Sequence, residues 1–464
     1  MNKQNVQFWT NENEKQVKII QSKLTENLNA RGYANLRINA TNYQLVKCFQ
    51  NRLMKTSEYE IIRELNYFLE NHASPEVREI FARGVGTYIS SKKLSLLNTL
   101  EFKKDRDPKN SSDFYFNNCF CRVLKDGIKV LDYEKLDSLI WEDKIIKKDF
   151  VVSNDTLPGD FEVFCRNLTF NNEIRFKAFK TMIGFLLHRN KEIGEAKAII
   201  LYDEHMGVNG QAHGGTGKTL IIKAIEKCRE CAYVSGKELK TGSFFKNQRI
   251  NITTDIIAYD DLKENVDFED FYTTVSSSIE VEKKGKQSFL IEYEDAPKIL
   301  MSSNYLIKGD GGNSDLRRRY EFEIANHYHK DFTPEMEFGK RFFGSDWQDN
   351  DWNKFFLFMM TCVHEYLNFG LLEADCINLR QTRTEDKSCP EFIEFAKTHL
   401  KIGEWINKRE YNVMFQEAYP QLKGLSSHKF TKWIKDYALD LSIKYLDKSS
   451  GGDYFFILKN QIEA

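Results

Sequence analysis

The sequence predicts an α/β fold: a phosphate-loop core with a parallel sheet, a mixed α+β region before it and a small helix-and-hairpin domain after it. Three observations predict this. The glycine-rich segment AHGGTGKT, residues 212–219, lies between the apolar run AIILY from Ala198 and a helical pattern that starts at Thr219. The run IIAYDDL, about forty residues further on, leads into two adjacent carboxylates. The run KILMSSN then leads into two serines and an asparagine. Each apolar run is short enough for a buried strand, and polar groups gather where ligands bind in a parallel sheet, beyond the carboxyl ends of the strands.

The segment 212–219 has the composition of a phosphate cradle. Gly214, Gly215 and Gly217 let the backbone N–H groups converge, and the following helix N-terminus adds partial positive charge. Lys218 is expected to reach the β- and γ-phosphates of ATP, and Thr219 to ligate Mg²⁺. The nucleotide-binding set is thus Gly214, Gly215, Thr216, Gly217, Lys218, Thr219 and Leu220. Ala212 stands where the G-x-x-x-x-G-K-[ST] pattern has its first glycine, a position that asks for a small residue more than for positive φ. A glycine turn with a chance GKT is the alternative.

Asp260 and Asp261 suit ATP hydrolysis, one holding the Mg²⁺ shell with Thr219 and the other orienting the attacking water. Asp260 is assigned the metal. Asn304 is expected beside them, holding water or sensing the γ-phosphate; otherwise it is a turn former. In DLRRRYEFEI, Arg317 or Arg318 is a candidate arginine finger donated to a neighbouring subunit, and a solvated basic turn is the other reading. EVEKKGKQSFLIEYE alternates as a β-hairpin with Lys283, Lys284, Gly285 and Lys286 at its tip. Those lysines could grip phosphates without reading sequence, with Phe289 stacking on a base; an isolated KKGK turn is only a soluble loop.

The whole chain sets outer bounds. Its 464 residues allow two to four domains, and 67 Lys+Arg against 68 Asp+Glu leave room for a local basic patch but no global one. The N-terminal stretch has no apolar h-region, and FFLFMMTCV is too short to span a bilayer, so a cytoplasmic protein without membrane contact is expected. Nine cysteines without framework spacing fit reduced thiols, and Cys228 and Cys231 are read as chance neighbours and not as zinc ligands.

AHGGTGKT, IIAYDDL, the EKKGK hairpin and ILMSSN occur in the order and spacing of motifs A, B, B′ and C of superfamily 3 helicases. Roughly Asp160 to Glu373 resembles the helicase part of phage and plasmid primase-helicases, the virus-type polymerase-helicase family, and FKAFKTMIGFLLHRNK and EFGKRFFGSDWQDNDWNKFFLFMM are similar to that group as well. The resemblance implies an AAA+-like ATPase core that assembles as a homo-oligomeric ring, usually a hexamer, and travels on single-stranded DNA with hairpin lysines in its pore. Ala212 departs from the pattern. The first 150 residues carry no recognisable primase site, which leaves priming to a separate primase or polymerase.

The expected organisation is 1–155, an α+β region of unassigned role; 156–195, two amphipathic helices leading into the core; 196–330, the ATPase core; 331–388, its helical extension; and 389–464, a winged-helix-like domain. The last assignment rests on a helix followed by a hairpin turning at KSSGGD, with Lys429, Lys432 and Lys435 on the helix and Lys448 in the wing. Origin duplex DNA is one partner for it and another protein the alternative. The function expected is an ATP-dependent DNA helicase that replicates a phage, plasmid or other mobile element. A protein-remodelling ring ATPase and a nucleotide-switched replication initiator are its rivals.

Overall fold

The computed structural model describes residues 6–460 except 11–15, 39–41, 102–105, 153–154, 156, 193, 207–214, 240–246, 285–287, 310–311 and 442. The chain opens with α1 (Gln21–Ala30), the strands β1 (Tyr33–Arg37), β2 (Tyr43–Phe49) and β3 (Arg52–Lys55), and the helices α2 (Glu58–His72), α3 (Pro75–Tyr88) and α4 (Ser91–Leu94). Ser57 and Glu60 form a capping box at the start of α2, and Ser74 caps α3 just before Pro75, so local sequence fixes both starts. With β4 (Thr99–Glu101) and, much later, β8 (Ile140–Trp141), the strands make a sheet of order β4-β1-β2-β3-β8. Leu24, Ile61, Leu65, Phe68 and Phe81 form its helix-side core.

A second, antiparallel sheet follows: β5 (Ser111–Tyr115), β6 (Phe120–Leu124) and β7 (Gly127–Leu131). Its inward residues Phe114, Cys121 and Val123 do not form a core of their own. They share one with α5 (Asp160–Asn167), α6 (Glu173–Leu187), the central sheet and α11 (Asp349–Phe369). Helix α6, read from sequence as amphipathic, is instead buried on nearly every side from Phe176 to Leu187. It is pinned in three ways. Gly184 admits the backbone of α11, since a Cβ there would lie 2.1 Å from the Cys362 carbonyl oxygen. Lys298 donates to the carbonyls of Phe185 and His188 at 2.6 Å each, satisfying carbonyls at the helix C-terminus. The Lys180 ammonium pairs with Glu365 of α11 at 2.7 Å.

The central sheet consists of β9 (Ala198–Asp203), β10 (Cys231–Ser235), β11 (Ile256–Leu262), β14 (Lys298–Ser303) and β15 (Arg319–Ile324), reached past α7 (Lys218–Glu226), α8 (Tyr272–Ser276), the hairpin strands β12 (Ile279–Val281) and β13 (Phe289–Ile291), and α9 (Asn313–Leu316). All neighbours are parallel, in the order β10-β11-β14-β9-β15. Every residue of β9 and β14 is buried, as a strand covered on both faces requires. The later-sequence strand β14 lies between β9 and β11, which puts the ends of these three strands side by side.

At the opposite, amino end of the sheet, buried charges tie the N-terminal residues to the core. Asp255 Oδ1 accepts from Lys144 at 2.6 Å and Arg106 at 3.2 Å. Asp107 accepts from the Arg189 guanidinium at 2.8 Å and from Ser112 at 2.6 Å. Arg229 donates to the Leu187 carbonyl at 2.7 Å and lies 3.9 Å over the Phe114 ring.

After α10 (Pro334–Phe338) and α11, the chain continues as α12 (Leu379–Lys387), α13 (Pro390–His399), β16 (Ile406–Asn407), α14 (Lys408–Ala418), α15 (Ser427–Asp440), β17 (Lys444–Ser450) and β18 (Asp453–Lys459). The three strands form an antiparallel sheet, β16-β18-β17, over a separate core of Phe392, Phe415, Phe430, Trp433 and Phe456. The expected turn is present: Gly451 and Gly452 carry φ of +63° and +90°, which a two-residue hairpin of this hand requires. Cys228 is buried and Cys231 half-buried, both as free thiols. Among the described residues, no helix is long and apolar enough to cross a membrane.

Candidate functional site

Strand β9 ends on Asp203, and the connection to α7 is described again from Gly215. Gly214 and Ala212 lie outside the described residues. Gly215 and Gly217 have φ of +98° and +113°, the left-handed region that glycine alone enters without strain. Gly217 is constrained twice over, because a Cβ there would come within 2.8 Å of the Phe164 ring. It caps α7, so Lys218 and Thr219 are that helix's first residues, and Leu220 packs half-buried against the core.

Lys218 and Thr219 turn toward the neighbouring strand ends. The Lys218 ammonium donates to Asn304 Oδ1 at 2.8 Å and pairs with Asp203, whose other oxygen accepts from the Thr216 hydroxyl. Burial pushes the Lys218 pKa below the ordinary lysine value, and Asp203 opposes that fall. The Thr219 hydroxyl lies 3.2 Å from Asp260 Oδ2. Asp260 is buried and crowded with donors: Ser302 at 2.5 Å on Oδ1, and Tyr233 at 3.0 Å on the oxygen that Thr219 reaches. Burial, and then the adjacent Asp260, push the Tyr233 phenol up to about 12, so it stays a donor at neutral pH.

The two carboxylates do not terminate their strand, as the sequence suggested, but lie inside β11, which continues to Leu262. A register shift between Tyr259 and Leu262 accommodates them, and Asp261 has a left-handed φ of +59°. A bulge re-aims a side chain that regular alternation would turn away. Asp261 is thereby brought to Asn304, whose amide donates to it at 3.2 Å, and to Lys237 at 2.6 Å.

Three carboxylates, Asp203, Asp260 and Asp261, thus share the site with two ammonium groups, Lys218 and Lys237. The excess negative charge and the hard oxygen donors of Thr219 and Asp260 fit a divalent cation. Among the described residues, no group of three or more His, Cys, Asp or Glu side chains could hold a metal ion by itself. Mg²⁺ fits such a place because it is commonly held by one or two carboxylates, waters and substrate phosphates.

Other expected site residues lie elsewhere. Arg319 pairs in register with Ala198, the first residue of β9, so Arg317 and Arg318 sit at the end of the sheet remote from Lys218. Arg317 is exposed, and its side chain makes no hydrogen bond or ion pair among the described residues. Arg318 donates to Ser276 at 3.2 Å and lies 4.9 Å over Tyr272, and Arg319 is buried against Asp315 at 2.6 Å. The hairpin β12–β13 is present; Gly285 and Lys286 lie outside the described residues. Lys284 is exposed, while Lys283 reaches Asn251 at 2.5 Å. Phe289 is half-buried against the core. In the C-terminal domain Lys429, Lys432 and Lys435 are exposed on α15, and Lys448 lies 4.0 Å over Trp405.

Sequence reasoning missed Asp203, Tyr233, Lys237 and Ser302. Asp203 and Ser302 had a signal, since each ends or nearly ends an apolar run beside a recognised motif. Tyr233 and Lys237 had none, because only the pairing of β10 with β11 brings them near Asp260 and Asp261.

A family model described as a family of unknown function, DUF5906, matches residues 211–319, less than half of the chain. No curated protein matches. Among solved structures, the chain is similar to the apo structure of the NrS-1 C-terminal region, with a TM-score of 0.42 and 12% identity over 94% of this chain and 98% of that one. It is also similar to a crystal structure of JCV helicase with a thiazolopyridinyl-phenoxyphenyl acetamide bound, with a TM-score of 0.24 and 10% identity over 36% of this chain and 45% of that one. At these scores the likeness assigns neither fold nor function.

Proposed function

We propose that the chain is an ATP-dependent DNA helicase with an AAA+-like P-loop core of the superfamily 3 kind. One observation carries the reading: Lys218, Thr219, Asp260, Asp261 and Asn304, drawn from three separate sequence motifs, meet at the carboxyl ends of three adjacent parallel strands, linked by contacts of 2.8 to 3.2 Å. That is where α/β sheets bind ligands. Gly215, Thr216, Gly217 and the first turn of α7 cradle the phosphates, Lys218 faces the β- and γ-phosphates, and Thr219 with Asp260 hold Mg²⁺. The metal when bound offsets phosphate charge. Asp261 and Asn304 orient water. Its oxygen bonds to the γ-phosphorus while the bond to the β–γ bridging oxygen breaks; ADP leaves with that electron pair, and a water proton passes to Asp261.

Arg317 or Arg318 supplies a finger to the neighbouring protomer of a ring, a hexamer by the resemblance. Their distance from the site of their own chain supports action across an interface. Lys283, Lys284 and Lys286 grip single-stranded DNA. Helix α13, β16, α14, α15 and the β17–β18 hairpin have the order of a winged helix, and its exposed lysines favour origin duplex DNA as its ligand, which also keeps the initiator reading open. The boundaries 1–155, 156–195, 196–330, 331–388 and 389–464 serve as the domain scheme, with priming by a separate primase or polymerase.

The test is hydrolysis with and without single-stranded DNA, and unwinding of forked duplexes with 3′ or 5′ tails. Stimulated hydrolysis with strand separation is expected. Hydrolysis indifferent to DNA would favour a protein remodeller, and binding without separation an initiator. Mixing an Arg317→Ala or Arg318→Ala variant with Lys218→Ala should restore part of the activity if the finger acts between subunits.

A further inference from the structure

Lys237 belongs to none of the motifs above. It follows β10, and its ammonium lies 2.6 Å from Asp261 Oδ2. Asn304 donates to the other oxygen of Asp261 and accepts from Lys218, which pairs with Asp203. Five side chains, Asp203, Lys218, Asn304, Asp261 and Lys237, therefore run across the site with alternating charge about the neutral amide. Among the described residues, the carboxylate that Lys237 pairs with is Asp261, the one the hydrolysis reading assigns to the attacking water.

The backbone holds Lys237 there. The Gly236 N–H donates to the Asp260 carbonyl at 2.6 Å. A Cβ on Gly236 would meet the Leu262 backbone at 2.6 Å and the Asp261 carbonyl carbon at 2.7 Å. Only glycine lets the end of β10 press so closely on the bulge, and the next residue then projects beside Asp261. Asp261 itself keeps a left-handed φ, a strained conformation for a non-glycine residue that is concentrated where a side chain must be aimed. The pair is not a fold determinant. The Lys237 side chain is 70% exposed, and solvent screens an ion pair that open.

We propose that Lys237 is a second catalytic cation, held on Asp261 until a nucleoside triphosphate arrives and then transferred to its γ-phosphate; this rests on the ATP-hydrolysis reading. A terminal phosphate brings negative charge beside Asp261 that a diphosphate lacks. Lys237, with a flexible four-carbon stem in solvent, exchanges the carboxylate for a phosphoryl oxygen. The exchange releases Asp261 to accept from the attacking water. As the bond to the bridging oxygen breaks, the ammonium offsets charge on the equatorial oxygens of the transferring group. The site would thereby distinguish triphosphate from diphosphate by charge alone.

The experiment compares full-chain wild type, Lys237→Ala and Lys237→Arg in steady-state ATP hydrolysis and in equilibrium binding of ADP and a non-hydrolysable ATP analogue. Lys237→Ala should lower kcat by about 10²–10³, the scale for losing one transition-state donor. It should weaken the ATP analogue by about tenfold, one charge-assisted contact, while ADP binding stays within about twofold. Lys237→Arg should recover most of kcat. If Lys237→Ala hydrolyses as well as wild type or faster, Lys237 only masks Asp261 and the proposal falls while the ATPase reading stands. Equal losses for ADP and the ATP analogue would overturn it too. A wild type that neither binds nor hydrolyses nucleotide takes both readings down.

Discussion

The two ends of the central sheet use the same chemistry for different ends. At the amino end, Asp255, Asp107, Lys144, Arg106, Arg189 and Arg229 are closed in by one another and by backbone carbonyls, and they join residues near 106–144 to the core. At the carboxyl end, Asp203, Lys218, Asn304, Asp261 and Lys237 partner one another by side chains alone, ending in an exposed ammonium. A charge cluster tied to backbone is fixed by the fold. One tied only to side chains can trade partners with a ligand.

The largest expected effect breaks the amino end. Asp255→Ala takes from Lys144 and Arg106 the buried carboxylate they share, and removing one partner of a buried pair costs about 3–5 kcal/mol. Thermal and denaturant unfolding measure it; a loss under about 1 kcal/mol would put the network on the surface side of the comparison. Lys218→Ala comes next. Turnover should fall by about 10²–10³, and the chain should also lose stability because Asp203, 1% exposed, is left without its cation. Adding Asp203→Asn should restore the stability and not the turnover. Recovery of both would show Lys218 to be structural.

A smaller effect concerns the hairpin. Lys283→Ala with Lys284→Ala should leave basal hydrolysis near wild type, reduce DNA-stimulated turnover, and make the salt dependence of DNA binding shallower by about one unit per lysine. Normal unwinding by this variant would reduce the hairpin to a surface loop. The smallest effect separates the two ends by pH. Burial raises the Asp107 and Asp255 carboxyls, but the cations around them, Arg189 first for Asp107 and Lys144 first for Asp255, bring both below the ordinary range. Their stabilisation is therefore complete above the unfolded value of about 3.9 and is lost as pH falls through the depressed folded values. Acid titration of Asp255→Asn should show a weaker loss of stability in that window than wild type.

The apolar runs were legible in the sequence because burial on both faces leaves a continuous run, as in β9 and β14, and glycines at fixed spacing mark a loop that needs positive φ. Lys218, Thr219, Asp260, Asp261 and Asn304 could be named for the same reason: each follows or closes a local pattern. Helix α6 was misread because its polar residues fall at amphipathic spacing, yet Arg175, Thr181 and His188 find buried partners that only neighbouring elements provide.

What the sequence by itself determined is therefore local: which segments become buried strands, where the glycine loop before α7 bends, where helices are capped, and which residue types stand at those places. Tertiary structure alone decided the strand order, which inserts β14 between β9 and β11 and so sets Asn304 between Lys218 and Asp261. It also decided the bulge that aims Asp261, the partnership of Lys237 with it, and the sharing of one core between β5–β7 and α11. The physical reason is range. Hydrophobic period and backbone preference act over a few residues, whereas a buried charge is governed by whichever groups the sheet brings within a few ångströms, however far apart they lie along the chain.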